Sequence, residues 1–349
     1  MQDIPQRNNF DLLRLVLALT VCLAHLGEVT GVQAFGILAR YFYSGPAVDC
    51  FFVVSGFLIF RSFHRSSSIH SYLDKRIRRI YPAYLAVILI SALLLPLLAA
   101  HPVVSYLSFD WLKYLGANLI FLNFLEPNLP GVFINNPLQP VNGSLWTIKI
   151  EVLFYLSVPL IALLYRRRSK IRLFVLLYIL SVTYSTILLA LWQKTHNPNL
   201  LLIEKQLPGQ LAFFLSGGLL YFYYPVFSRF TYRILLLGVI GMGIHLKFVI
   251  YPLYPISLAV LVVFFTLKMP FLGNWGRFGD ISYGVYIYHF PLVQTLTVLG
   301  FFTLPPKLSF GLLLILLFFI SYSSYHLVEK PFLKKSSHYR LSENELSTG

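Results

Sequence analysis

The chain has 349 residues, of which 57% are hydrophobic and 12% charged, and its formal net charge is +15 at pH 7. A soluble domain of that length has too little interior to hide so much apolar surface, so lipid must cover a large share of it. Its Lys and Arg residues sit in short clusters between long apolar runs, which excludes the basic face of a nucleic-acid binder and fits the charge pattern of a multi-spanning membrane protein.

A bilayer crossing needs about 20 mostly apolar residues. Such runs occur near 9–29, 46–63, 80–99, 144–165, 171–192, 209–225, 234–249, 253–269, 281–302 and 308–328, which predicts an all-α integral membrane protein with about ten transmembrane helices. A weaker run, 112–125, is too short to cross and reads as a re-entrant or interfacial piece packed against protein. With both termini in the cytoplasm, 20 of the 28 Lys and Arg face the cytoplasm and 6 face outward. Letting 112–125 cross would reverse the Arg166–Arg172 cluster and everything after it. The bilayer implied is the bacterial cytoplasmic (inner) membrane. Residues 1–333 read as one transmembrane domain, 334–349 as a polar, flexible cytoplasmic tail, and 100–143, rich in Pro and Asn, as an ordered outer cap. The first apolar run follows a polar start and lacks a cleavage site, so it reads as a retained helix. Cys22 and Cys50 form neither a disulfide framework nor a zinc pattern.

Ionisable groups inside spans are costly, so each is a functional candidate. The first span carries Arg14 and His25; eleven residues amount to about three helical turns, so both share one face roughly 16 Å apart. Arg14 lies near the cytoplasmic end and His25 near the outer end. The second span carries Asp49 at its outer end, where capping is an alternative role, and Ser55-Gly56 at mid-depth, which suits close helix packing. A basic loop then offers Arg76 and Arg79, which topology and anionic lipid would also explain. The fourth span carries Glu151, with Lys149 placed to pair with it and hold it as an anion. In the ninth span Tyr283, Tyr286 and Tyr288 precede His289, and the tenth ends at His326 and Glu329. A neutral imidazole with a carboxylate partner can take a proton from a hydroxyl or carry an acyl group itself. Arg76 and Arg79 on the inner side suit phosphates, because the guanidinium fork binds them in pairs of hydrogen bonds. No metal-ligand spacing is present.

Several segments resemble the acyltransferase 3 family of membrane acyltransferases, over about residues 8–333. They are NNFDLLRLVLALTVCLAHL, with Arg14 and His25 as R-x10-H; GPAVDCFFVVSGFLI; KRIRRIYPAYL, with Arg76 and Arg79 as R-x-x-R; SLWTIKIEVLFYLSVPL, with Glu151; GDISYGVYIYHFPL, with His289; and YHLVEKPF, with Glu329. The resemblance implies transfer of an acyl group, often acetyl from acetyl-CoA, to a hydroxyl of a carbohydrate such as an exopolysaccharide or a lipopolysaccharide. It implies acetyl-CoA as co-substrate with no resident cofactor or metal, and a lipid bilayer, acyl-CoA and a polysaccharide, oligosaccharide or glycolipid as partners, without nucleic acid. It puts the family's key His and Arg at His25 and Arg14 and its donor-side R-x-x-R at Arg76 and Arg79; the residues themselves add Asp49 or Glu151 as a carboxylate that orients a catalytic His25, and Arg14 as a further contact of the donor. His289, Tyr286 and Ser55 are acceptor-side or structural candidates. A transporter or flippase of lipid-linked glycans is the competing reading, since intramembrane charges serve both. Acceptor identity, acetyl against longer acyl groups, direct transfer against an acyl-His intermediate and oligomeric state are left open.

Overall fold

The computed structural model describes residues 4–99, 106, 108–167 and 169–334. The tail from 335 onward, Arg168 of the basic cluster, and residues 100–105 and 107 of the expected cap lie outside them. Among the described residues every regular element is helical. In chain order these are α1 (Phe10–Thr30), α2 (Gln33–Tyr41), α3 (Ser44–His64), α4 (Ile69–Leu94), α5 (Phe109–Leu119), α6 (Trp146–Arg167), α7 (Lys170–Thr195), α8 (Pro198–Glu204), α9 (Leu207–Phe222), α10 (Tyr224–Arg229), α11 (Thr231–Phe248), α12 (Tyr254–Leu267), α13 (Ile281–Val298) and α14 (Pro306–Ser324).

Each of the ten apolar runs is helical, and among the described residues seven helices are long and apolar enough to cross a membrane: α1, α3, α4, α6, α7, α11 and α14. The other three fall short for separate reasons. Helices α9 and α12 have 16 and 14 residues. Helix α13 has 18 residues but carries Tyr283, Tyr286, Tyr288, His289 and Gln294, so its apolarity is low. The weak run at 112–125 is mostly the 11-residue helix α5, begun by Ser108, whose side chain accepts from the Trp111 amide.

The chain divides into two compact units. The first comprises residues 1–10, 48–73 and 150–273. Its centre is α9, apolar on all sides and largely buried, which is how a helix wholly surrounded by other helices reads. Close approach of α3 to α9 depends on glycine. A Cβ at Gly56 would stand 1.9 Å from the Phe214 carbonyl oxygen, and one at Gly217 would stand 2.0 Å from that of Val53. Backbone cannot move aside as a side chain can, so Gly56→Leu should cost at least roughly 1–3 kcal/mol. A thermal melt of the purified variant checks this; an unchanged midpoint would contradict the packing.

The second unit comprises residues 11–47, 74–149 and 274–349. A core of Leu26, Val29, Phe35, Phe290, Val293, Leu296, Phe302 and Leu313 joins α1, α2, α13 and α14. Another core, including Ala92, Trp111, Tyr114, Val132, Phe133 and Val141, gives the described part of the cap an interior of its own. Several of the cap's polar groups have defined partners. Trp111 Nε1 donates to the Ala92 carbonyl at 2.8 Å, and Gln294 Nε2 donates to the carbonyls of Leu138 and Pro140. Pro291 lies inside α13 and has no amide hydrogen, which leaves the Ile287 carbonyl without its usual helical donor. Asn142 Nδ2 takes that place at 2.8 Å. Gly143 then runs so close to α13 that a Cβ would meet the Phe290 ring at 2.8 Å.

Candidate active site

Two polar contacts join α1 to α13 in the second unit, one near the start of each helix and one further along both. Arg14 Nη1 contacts Asp280 Oδ2, and eleven residues later His25 Nδ1 lies 2.9 Å from His289 Nε2. The two helices therefore run parallel, and the shared face expected of Arg14 and His25 is the face turned to α13.

The proton arrangement of the histidine pair follows from its surroundings. His289 is 0% exposed, and its Nδ1 lies 3.1 Å from the Val285 carbonyl oxygen. A carbonyl can only accept, so Nδ1 carries the hydrogen and Nε2 of a neutral ring presents a lone pair. His25 Nδ1 must then be the donor to His289, and His25 Nε2 becomes the acceptor nitrogen. The rings are stacked with centroids 5.2 Å apart, and Phe290 meets His25 edge-on at 5.1 Å. His25 is half-buried. Tyr286 is buried beside this pair; its hydroxyl lies 2.7 Å from Thr147 Oγ1, and its ring centroid is 6.1 Å from that of His289.

At the other end stands a four-membered ion cluster. Arg79, 4% exposed, reaches Asp280 through Nη2 and Glu329 through Nη1, and Arg14 shares Asp280 Oδ2; each contact is 2.5 Å. Glu329 is 0% and Asp280 5% exposed. The four charges cancel formally, which is the condition for burying them. Ser282 donates to Asp280 Oδ1, and Ser324 lies 3.4 Å from Glu329 Oε1. Burial pushes the Asp280 carboxyl up, but the Arg14 and Arg79 guanidiniums outweigh it and hold the group well below the usual carboxylate range. A π-helical turn at Tyr325–Glu329 follows α14 and carries Glu329 to Arg79. Gly279 lets Tyr325 pack beneath: its φ is +89°, and a Cβ there would lie 2.2 Å from the ring.

The remaining sequence candidates have their own partners. Asp49, Ser55 and Glu151 belong to the first unit. Tyr254 donates to Asp49 Oδ2 at 2.8 Å, and Glu151 Oε1 accepts from Tyr155 at 2.6 Å and from Ser55 at 3.3 Å. Lys149 is buried with Nζ 4.0 Å above the Phe124 ring, a cation–π contact. Arg76 is half-buried, one turn before Arg79 on α4.

For two members of this arrangement, Asp280 and Glu329, the sequence suggests no catalytic or binding role. Asp280 stands just before α13 and looks like an ordinary helix-start acid, and Glu329 looks like a helix-end group. Their signal was the count of intramembrane cations, since a buried Arg needs an anion. His25 Nδ1 meets an imidazole, His289, where the sequence suggests a carboxylate.

If His289 fixes the His25 tautomer, His289→Phe should lower turnover about 10–100-fold, the cost met when the partner orienting a functional imidazole is lost. His289→Gln, whose amide oxygen can still accept from His25 Nδ1, should recover part of that. Equal loss in both variants, measured as ester formed per folded protein, would argue against a role through the tautomer.

The chain is similar to known proteins along most of its length. A family model described as an acyltransferase domain matches residues 7–326. An O-acetyl transferase of Shigella phage Sf6 is 28% identical over 337 residues, covering 95% of this chain and 97% of that protein. Nodulation protein 10 of Rhizobium leguminosarum bv. viciae is 35% identical over 176 residues, 47% of this chain and 46% of that protein. No solved structure matches the chain.

Proposed function

This chain belongs to the acyltransferase domain family, and from that premise we propose that it transfers an acetyl group from acetyl-CoA to a hydroxyl of a cell-surface or exported glycan. The observation that carries the reading is the half-buried His25 held by His289 so that Nε2 is the acceptor nitrogen. In the proposed reaction that nitrogen takes the proton of the acceptor hydroxyl as its oxygen attacks the thioester carbonyl. The carbon–oxygen bond forms, the carbon–sulfur bond breaks, and the CoA thiolate recovers the proton from the His25 imidazolium. While His25 is charged, its Nδ1–H still points at the His289 lone pair, so the cation keeps a hydrogen-bond acceptor. Holding both substrates at one nitrogen makes the step effectively unimolecular.

Arg14, braced by Asp280, keeps a positive charge on the His25 face of α1, and Arg76 is the second cation assigned to the donor's approach. Arg79 spends its guanidinium on two carboxylates, so its part is to position α13 and the segment after α14. Asp49 and Glu151, each held by a tyrosine hydroxyl, are carboxylates assigned to the acceptor side. The setting we infer is the bacterial cytoplasmic membrane, crossed ten times with both termini in the cytoplasm, as the charge count favours. The donor would enter from inside and the glycan from outside, beneath the cap.

The test is purified protein with radiolabelled acetyl-CoA and a glycan acceptor. Alkali-labile label on the glycan is the expected result. Label that stays in the thioester while glycan crosses the membrane would favour a transporter instead. Donor alone followed by rapid quench separates direct transfer, which leaves no labelled protein, from an acetyl-His25 route, which does.

A further inference from the structure

The first unit holds a half-open cavity of ≈ 410 Å³ to which the account above gives no role. Arg61, His64 and Arg65, at or just past the C-terminal end of α3, and Lys170, at the start of α7, give it charge. Tyr221 and Phe222, at the end of α9, give it aromatic wall. Among the described residues no carboxylate lines it and no salt bridge reaches Arg61, Arg65 or Lys170. Arg61 Nε is buried with no hydrogen-bond partner. His64 is fixed in place, with Nδ1 3.2 Å from the Tyr221 hydroxyl and Nε2 3.1 Å from that of Tyr165. Lys170 Nζ lies 5.0 Å from the centroids of both Tyr165 and Phe222.

Cations gathered in one concave site repel one another, and an anion bound among them would offset that repulsion. Guanidinium and ammonium groups around a concave site suit a phosphate ester, and aromatic faces suit a purine ring. The volume falls in the range of about 300–1,000 Å³ usual for small-molecule sites. A basic rim facing lipid would also attract anionic headgroups, but such rims are open and act through charge alone. Here the Arg61 nitrogen is buried without a partner and aromatic rings stand in the wall, which favours a ligand seated in the concavity.

We propose that this cavity is a phosphate-ester site that receives the nucleotide end of the acyl-CoA donor, with Arg61, Arg65 and Lys170 on the phosphates and Phe222 and Tyr221 against the base. The assignment of the donor rests on the function proposed above. Full-length protein in phosphatidylcholine nanodiscs would be titrated with adenosine 3′,5′-bisphosphate, with and without short-chain phosphatidylglycerol as competitor. Arg61→Ala and Lys170→Ala should each weaken nucleotide binding about tenfold. The same variants should raise KM for acetyl-CoA by a similar factor while kcat changes less than twofold, and Arg61→Lys should recover part of the loss. Unchanged bisphosphate affinity in both alanine variants, or a loss confined to phosphatidylglycerol, would overturn the proposal. If wild-type protein binds the bisphosphate through these residues but forms no ester from acetyl-CoA, the donor reading falls and the phosphate site stands.

Discussion

His25→Ala should lower ester formation by a factor on the order of 10²–10⁴, the usual contribution of a positioned proton acceptor. The variant should insert and fold as the parent does. His25 is only half-buried and lies at the edge of the core formed by Leu26, Val29 and Phe290, so loss of its ring removes little of the packing. His25→Asn separates shape from basicity: it fills similar space and can keep a donor toward His289, but it has no basic nitrogen. It should be nearly as inactive as alanine. Folded amounts are compared by gel filtration and thermal melt, activity by labelled acetyl on the acceptor. Activity within threefold of the parent in either variant would remove His25 from the chemistry.

The second large effect concerns stability. Arg79→Ala leaves Glu329 and Asp280 buried, with Arg14 as the one remaining cation of the cluster, and breaking a buried ion pair from one side costs about 3–5 kcal/mol. The loss should appear as a much lower melting midpoint or as failure to accumulate in the membrane. Arg79→Lys keeps the charge but not the fork that reaches two carboxylates, so it should fall between the parent and alanine. A double replacement, Arg79→Met with Glu329→Gln, removes one charge of each sign, leaves the Arg14–Asp280 pair intact and should regain much of the lost stability. Alanine at position 79 with a melting midpoint like the parent's would show that the cluster does not brace these elements.

The sequence makes the apolar architecture plain and the pairing of polar groups obscure. Every apolar run is a helix, because hydropathy and length are local properties that the bilayer enforces. The shared face of Arg14 and His25 was legible too, since helical periodicity is fixed. What lies opposite that face is not local. Asp280 and His289 meet Arg14 and His25 across some 260 positions of chain, and nothing in α1 names α13 as its neighbour. His289 follows three tyrosines, a context that reads equally well as interfacial packing, and its role emerged only with the Val285 carbonyl behind it. Pro291 and Asn142 show the same limit: the proline announces an open carbonyl, and only the fold says which side chain closes it. The borderline apolarity of α13 has a physical reason, because a helix carrying the site cannot also be purely apolar.

The proposed reaction depends on which ring nitrogens carry hydrogen. Selective ¹⁵N-histidine labelling of the protein in nanodiscs, assigned with His25→Asn and His289→Gln, reads that directly. Shifts typical of a protonated Nδ1 and a bare Nε2 on both rings, with coupling across the His25 Nδ1–His289 Nε2 contact, are the expected outcome. A His25 ring protonated on Nε2, or a His289 ring charged at neutral pH, would contradict the account, because the nitrogen offered to the hydroxyl would then have no lone pair to accept its proton.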